Sequence, residues 1–194
     1  MLSVIISTRN DERGTVATLA ALIPGATAGL VADVLLLDRD GRDGFRQIAD
    51  SAGCELLVHA PQGDDGKPDN GLLVAAQQTR APWLLFLQAG AVLQSGWIDE
   101  TLKFIETSTT GGRAHGAVFR YTGSHYGDGR RPRLAKALWR WLPGGTPDKG
   151  LLISRSHYER LGGHPVAARR PEAKLLSRLG RRSRVKLQSG IVNV

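Results

Sequence analysis

The stretch Trp83–Trp97, WLLFLQAGAVLQSGW, constrains the fold more than any other part of the chain. It opens on Trp83-Leu84-Leu85-Phe86-Leu87, a run with no polar residue and no alternation. Such a run reads as a strand buried on both faces, as in the middle of a parallel sheet. The run stops at Gln88-Ala89-Gly90, and a small-residue turn at the carboxyl end of a central strand is where open α/β sheets bind ligands. Ser95 is in position to cap a following helix with Trp97, Ile98, Leu102 and Ile105 on one face. A phosphate-handling enzyme would be expected to place Asp residues at this turn to hold a divalent metal. Gln88 and Gly90 stand there instead.

The rest of the chain predicts a sheet around that strand. Ser3–Thr8 is β-branched and apolar. Asn10 or Asp11 can cap the next helix, whose apolar face is Val16, Leu19, Ala20 and Ile23 and which Pro24-Gly25 ends. Val31–Leu37 reads as a second buried strand, closed by Asp38-Arg39-Asp40-Gly41. Asp43-Gly44 leads into a helix ending near Ala52-Gly53, and Glu55–His59 is a short strand. Residues 61–70 are a polar Gly/Pro loop, and a helix follows over about Gly71–Thr79. This alternation indicates βαβ units and a mainly parallel, twisted sheet with helices on both faces, a single α/β domain. Beyond residue 112 the pattern predicts a strand at Gly116–Tyr121 and a polar loop at Gly123–Arg133. A helix at Leu134–Leu142 and a strand at Leu151–Ile153 come next. Helices at Ser156–Leu161 and Pro171–Leu179 and a short strand at Arg184–Leu187 complete the reading.

Charge divides the 194 residues in two. Residues 1–112 carry 8 Lys/Arg against 14 Asp/Glu, a balance of −6, and residues 113–194 carry 18 against 4, a balance of +14. The basic half projects a field that attracts phosphates, nucleic acid or anionic lipid, and charge alone does not choose among them. No nucleic-acid motif or stacking platform accompanies it, which makes nucleic acid an unlikely partner. Trp139 and Trp141 with Lys136 and Arg140 suit a helix resting on a membrane surface, and equally one covering the sheet edge. The single Cys54 reads as a small core residue. No apolar run reaches transmembrane length, and the start lacks the basic segment of a signal peptide. The expectation is a cytoplasmic protein with a possible peripheral contact to membrane.

Several stretches, in order, resemble the family-2 glycosyltransferases, which move a sugar from a nucleotide-diphosphate donor on a Rossmann-like fold called GT-A. VIISTRNDE (Val4–Glu12) is similar to VIIPTxNEE, and VLLLDRDGRDG (Val34–Gly44) to VIVVDDGSTDG. PWLLFLQAGAVLQSGWI (Pro82–Ile98) resembles DWLLFLHADTRLPPGWL. PDKGLLISRSHYERLGGHP (Pro147–Pro165) resembles GDQGLFVRRELFEALGGFP. The likeness runs from about Leu2 to Val192 and is closest to a small bacterial branch.

The resemblance implies a single GT-A domain, with residues 1–112 as the nucleotide-binding half and 113–194 as a basic, acceptor-side half. It implies donor contacts from Thr8, Asn10, Asp38, Gln88 and Gly90, with Asp38 taking the place of the Asp that bonds the base. It assigns the catalytic base to Glu172, where the family's acidic pair aligns with Pro171-Glu172. The helix before the fourth strand has Leu73 and Ala75 where the branch has Asn and Gly. A divalent Mg or Mn ion is expected for the family, but its acidic ligands are replaced by Gln88 and Gly90, so no metal-ligand set is assigned. Arg169, Arg170, Arg181, Arg182 and Arg184 would then neutralise the leaving group, or form a solvated basic face. The implied partners are a nucleotide-sugar donor and an unknown acceptor. The alternative is a catalytically inactive domain that binds a nucleotide, glycan or protein. Lys67 lacks phosphate-loop spacing, and His164 reads as a packing residue at a helix exit.

Overall fold

The computed structural model describes residues 1–8, 10–39, 41, 43–59, 71–111, 116–124, 150–165, 171–180 and 183–194. The strands are β1 (Leu2–Thr8), β2 (Val31–Asp38), β3 (Glu55–Val58), β4 (Trp83–Gln88), β5 (Ala91–Leu93), β6 (Gly116–Ser124), β7 (Leu151–Ser154) and β8 (Arg184–Asn193). The helices are α1 (Glu12–Thr27), α2 (Asp43–Ala52), α3 (Gly71–Gln78), α4 (Trp97–Gly111), α5 (Arg155–Arg160) and α6 (Pro171–Leu179). One sheet has the order β3-β2-β1-β4-β7-β6-β8-β5. Its first four strands are parallel, as crossover helices require. β7 runs antiparallel to β4 and to β6, β8 runs parallel to β6, and β5 runs antiparallel to β8. The sheet is therefore mixed: β1 to β4 form an all-parallel half, and the strands after residue 112 combine antiparallel pairs with the parallel pair β6–β8.

Strand alternation sorts the core into two layers. On one face Val4, Ile6, Leu36, Leu85 and Leu87 pack with Leu22 of α1, Ala49 of α2, and Trp97 and Phe104 of α4. On the other, Ile5, Leu35, Leu37, Leu84 and Phe86 pack with Leu72 of α3, Tyr158 of α5, and Leu175, Leu176 and Leu179 of α6. β4 is buried on both faces, as its apolar run predicts. Cys54 packs against the first layer, half-buried, and burial pushes its thiol pKa up.

Four expectations need correction. α1 does not bury Val16, Ala20 and Ile23, and it does not stop at Pro24. Val16 is 52% exposed and Ile23 62%. The face turned inward is Gly14, Thr15, Thr18, Leu22 and Gly25. Small residues win because the approach is close: a Cβ on Gly25 would overlap the Trp97 ring. The two buried threonines satisfy their hydroxyls on the helix's own carbonyls, Thr15 on Asp11 at 2.7 Å and Thr18 on Gly14 at 2.9 Å. Pro24 sits in the last turn, where it interrupts only one helical hydrogen bond.

On α4 the inward residues are Trp97, Thr101, Phe104 and Ser108, and Leu102 is 47% exposed. Gly96, not Ser95, directly precedes the helix, at φ 85°. β8 is ten residues long rather than four, and the short strand β5 arises because β8 reaches back to pair with it. β6 extends through Gly123 and Ser124, which the sequence assigns to a loop. The expected helix at Leu134–Leu142 and the loop at residues 61–70 lie outside the described residues.

Candidate functional site

The parallel register lines up the ends of three strands. Thr8 of β1 pairs with Asp38 of β2, and Ser7 pairs with Gln88 of β4. Asp38 ends a strand one removed from β4, with β1 between them. Thr8, Asp38 and Gln88 therefore share the carboxyl edge of the parallel sheet, but alternation divides them. Thr8 and Asp38 are in phase with Ile6 and Leu36 and face α1 and α2. Gln88 is in phase with Leu84 and Phe86 and faces α3, α5 and α6.

Burial separates them further. Thr8 and Asp38 have no exposed surface. The Thr8 hydroxyl donates to the Leu37 carbonyl at 3.2 Å, and the Asp38 carbonyl accepts the His59 N–H at 2.8 Å. These two residues form the floor of the edge. Asn10 is exposed, at φ 50°. A non-glycine residue in this region holds strain that Asn tolerates best. Gln88 is half-buried, as is Ser7 beside it on the same face. Ser7, which the sequence does not single out, is the β1 residue in register with Gln88.

The turn after β4 is packed tightly. Ala89 N–H bonds the Ser7 carbonyl at 3.0 Å, and the Gly90 carbonyl accepts Val194 N–H at 3.1 Å. Gly90 is buried, with φ 85°. A Cβ there would lie 3.0 Å from the Val194 carbonyl oxygen and 3.6 Å from both Asn193 Nδ2 and Asp11 Oδ2. Asp11 is the cap of α1, its Oδ1 accepting Gly14 N–H at 2.8 Å. These neighbours were hidden from sequence reasoning, because Asn193 reaches the turn only through a strand pairing across a hundred residues.

The residues at this turn do not fit a divalent metal. The backbone at position 90 disfavours any side chain, and the Val194 carbonyl crowds the place where one would start. Gln88 offers a neutral oxygen, where such ions take carboxylates. Among the described residues, no three His, Cys, Asp or Glu side chains could hold a metal together.

Glu172 lies half-buried in the first turn of α6, where the helix dipole favours its anionic form. α6 packs on the Gln88 face and closes with Leu179 against Gly116. Gly116 pairs with Ile153, which pairs with Leu84, so Leu179 sits toward the amino end of β4.

Arg184 does not join this edge. It pairs with Gly116 at the start of β8, level with Leu84, and Leu84 is four residues, or about 13 Å, from Gln88 along the strand. Of the two readings for Arg184, a leaving-group contact and a solvated basic face, this placement favours the second. Arg169, Arg170, Arg181, Arg182 and Lys67 lie outside the described residues.

Beneath Gln88, Tyr158 and His164 stand at two of the three phenylalanine positions of the motif to which this segment is similar, with Leu152 at the other. The Tyr158 hydroxyl accepts the His164 backbone N–H at 3.1 Å and lies 2.9 Å from Nδ1. Which of the two donates across that second bond depends on the tautomer of the ring, whose other nitrogen is Nε2. That nitrogen is buried without a partner. The ring packs edge-on to Phe86 at 4.6 Å. Burial lowers the His164 pKa to about 3 and pushes Tyr158 up to about 12. This fits the expected packing role.

No family model matches the chain. No curated protein matches its sequence. Solved structures do resemble it. TarS from S. aureus (residues 1-349) superposes with a TM-score of 0.69 at 15% identity, over 100% of this chain and 60% of that one. Glucosyl-3-phosphoglycerate synthase from Mycobacterium tuberculosis gives 0.67 at 20% identity, over 100% and 72%. The mannosyltransferase PcManGT from Pyrobaculum calidifontis, in complex with GDP-Man and Mn2+, gives 0.67 at 15% identity, over 99% and 56%. The chain thus spans less than two thirds of the length of the first and third of these. No helix among the described residues is long and apolar enough to cross a membrane. The chain has the GT-A fold of the nucleotide-diphospho-sugar transferases.

Proposed function

We propose that the chain is a glycosyltransferase-type domain of the family-2 kind, holding a nucleotide-diphosphate sugar at the carboxyl edge of β1, β2 and β4. The observation that carries this reading is the register that aligns Thr8, Asp38 and the Gln88–Gly90 turn on one edge of a GT-A sheet. The crystallised neighbours support it through their ligands: TarS has been seen with UDP, and the mycobacterial synthase with UDP-glucose and Mn2+. Asn10 and Gln88 are the accessible donor contacts, over a floor of Thr8 and Asp38. Asp38 reaches a nucleotide base only if that floor opens. Glu172, at the start of α6, is the candidate base that would deprotonate an acceptor hydroxyl approaching from the Gln88 face.

A second reading is favoured by the turn itself: a domain that binds a nucleotide, glycan or partner without turnover. Thermal shift with a panel of nucleotide-diphosphate sugars, with and without manganese, tests donor binding. A ligand of the native state raises the melting temperature by mass action. A stabilising donor that is also consumed with release of its nucleotide supports transfer. Stabilisation without consumption supports the second reading. No shift with any donor removes the first.

A further inference from the structure

We infer that the end of β8 takes over the role that a metal ion would have at this turn, with Asn193 donating a hydrogen bond to the diphosphate of the nucleotide. This rests on the donor-binding reading above. Gly90 supplies no ligand, because its φ of 85° and the Val194 carbonyl at 3.0 Å leave no room for one. The same point in space is approached by Asn193 Nδ2 at 3.6 Å. Asn193 is half-buried, so its amide is not sealed off from the edge. Its position is held from two sides, by pairing with Ala91 and by the bond from the next residue, Val194, to the Gly90 carbonyl. A neutral amide carries two N–H donors and suits phosphate oxygens without needing a countercharge.

Asp11 makes the same point from the other direction. Its Oδ2 also lies 3.6 Å from that position, while Oδ1 is engaged by the Gly14 N–H. Of the three atoms nearest that position, Asp11 Oδ2 is the side-chain carboxylate, so a cation bridging turn and diphosphate there would draw on it. If no cation does, Asp11 only repels the diphosphate. The two cases give opposite results when the charge is removed.

The test is calorimetric titration of UDP and GDP into the wild-type chain and three variants, in excess manganese and in chelator, with melting temperatures to verify folding. Wild-type affinity should agree within threefold between the two conditions. Asn193→Ala should weaken binding about tenfold in both. Asn193→Asp keeps the size but replaces the donor with an anion. It should lose at least as much in chelator and recover part of the loss in manganese. Asp11→Asn, which keeps an N-cap, should bind more tightly in chelator. Unchanged affinity in both Asn193 variants overturns the inference and leaves nucleotide binding intact. So does a tenfold gain of the wild type in manganese that Asp11→Asn abolishes. A wild-type chain that binds neither UDP nor GDP overturns the donor reading and this inference together.

Discussion

Loss of Arg155 should cost the fold more than loss of an ordinary surface polar side chain. It opens α5 directly after β7, and its guanidinium ties three groups at the entry to β4. Nε donates to the Ala81 carbonyl at 2.8 Å, Nη1 to the Ala76 carbonyl at 2.7 Å, and Nη2 to the Thr79 hydroxyl at 2.9 Å. Its own N–H bonds the Pro82 carbonyl at 2.8 Å. The charge thus sits at the carboxyl end of α3, where the helix dipole favours a cation. Hydrogen bonds from a charged donor contribute roughly 1.5–3 kcal/mol each and do not add fully. Arg155→Ala keeps the backbone bond and removes the other three. The Ala76 carbonyl retains the Thr79 hydroxyl at 3.0 Å, but no other side-chain donor in the described set reaches the Ala81 carbonyl. A loss of about 3 kcal/mol follows, or a melting temperature lower by about 6–12 °C for a chain of this size. Arg155→Lys keeps the charge but not the fork and should recover less than half of that. Urea unfolding followed by circular dichroism measures both variants. A loss below about 1 kcal/mol for Arg155→Ala would refute the reasoning, because it would mean that these carbonyls find water at no cost.

Three other outcomes are expected. His164 stays neutral in the native state down to about pH 3, whereas the unfolded chain takes up its proton near 6.5. Its contribution to stability is therefore complete above 6.5 and shrinks as pH falls toward 3, by up to about 1.4 kcal/mol per unit. The double variant Tyr158→Phe/His164→Phe should flatten urea stability between pH 6.5 and 4, and an unchanged acid slope would count against the buried neutral histidine. Gly25→Ala should destabilise by about 2 kcal/mol, because the new methyl displaces Trp97; a shift in tryptophan fluorescence should accompany it. Burial alone would raise the Glu100 pKa, but the Ser189 hydroxyl and the N–H groups of Gln188 and Ser189, at 2.5, 2.6 and 2.7 Å, outweigh it with help from Arg120 and lower it. The support from Glu100 should hold above the ordinary carboxylate range and fade below it. Glu100→Gln should lower the melting temperature at pH 7 and make little difference near pH 3.

The parallel half of the fold was legible because its determinants are local. The unbroken run Trp83–Leu87, too short for a helix and bounded by Pro82 and the Gln88–Gly90 turn, reads as a strand covered on both sides, and Pro171 and Gly180 bracket a helix that appears where they predict it. The errors arose where tertiary contact outweighs local pattern. Val16, Ala20 and Ile23 repeat at helical spacing, yet the inward face is another, where Gly25 allows Trp97 close approach. β5 and the full length of β8 could not be read because β5 is held by pairing with β8, and β8 by pairing with both β6 and β5, all distant in sequence. The candidate site divides in the same way. The edge that carries Thr8, Asp38 and Gln88 follows from strand ends, whereas its crowding by Asp11, Asn193 and Val194 depends on pairings distant in sequence.

The link from α4 and β5 to β8 also affects the order in which the molecule can assemble. Glu100 meets Gln188 and Ser189 across 88 and 89 residues, and Leu93 pairs with Ile191. The strands β1 to β4 need only crossover connections and can associate as soon as they leave the ribosome. β8 must close a loop of roughly ninety residues first, at an entropic cost that grows with the logarithm of length. Until it does, β5 has no partner strand and the Gly90 turn lacks its cover. Formation of the parallel half should precede completion of the ligand edge, with the late step slow in the manner of non-local strand pairing.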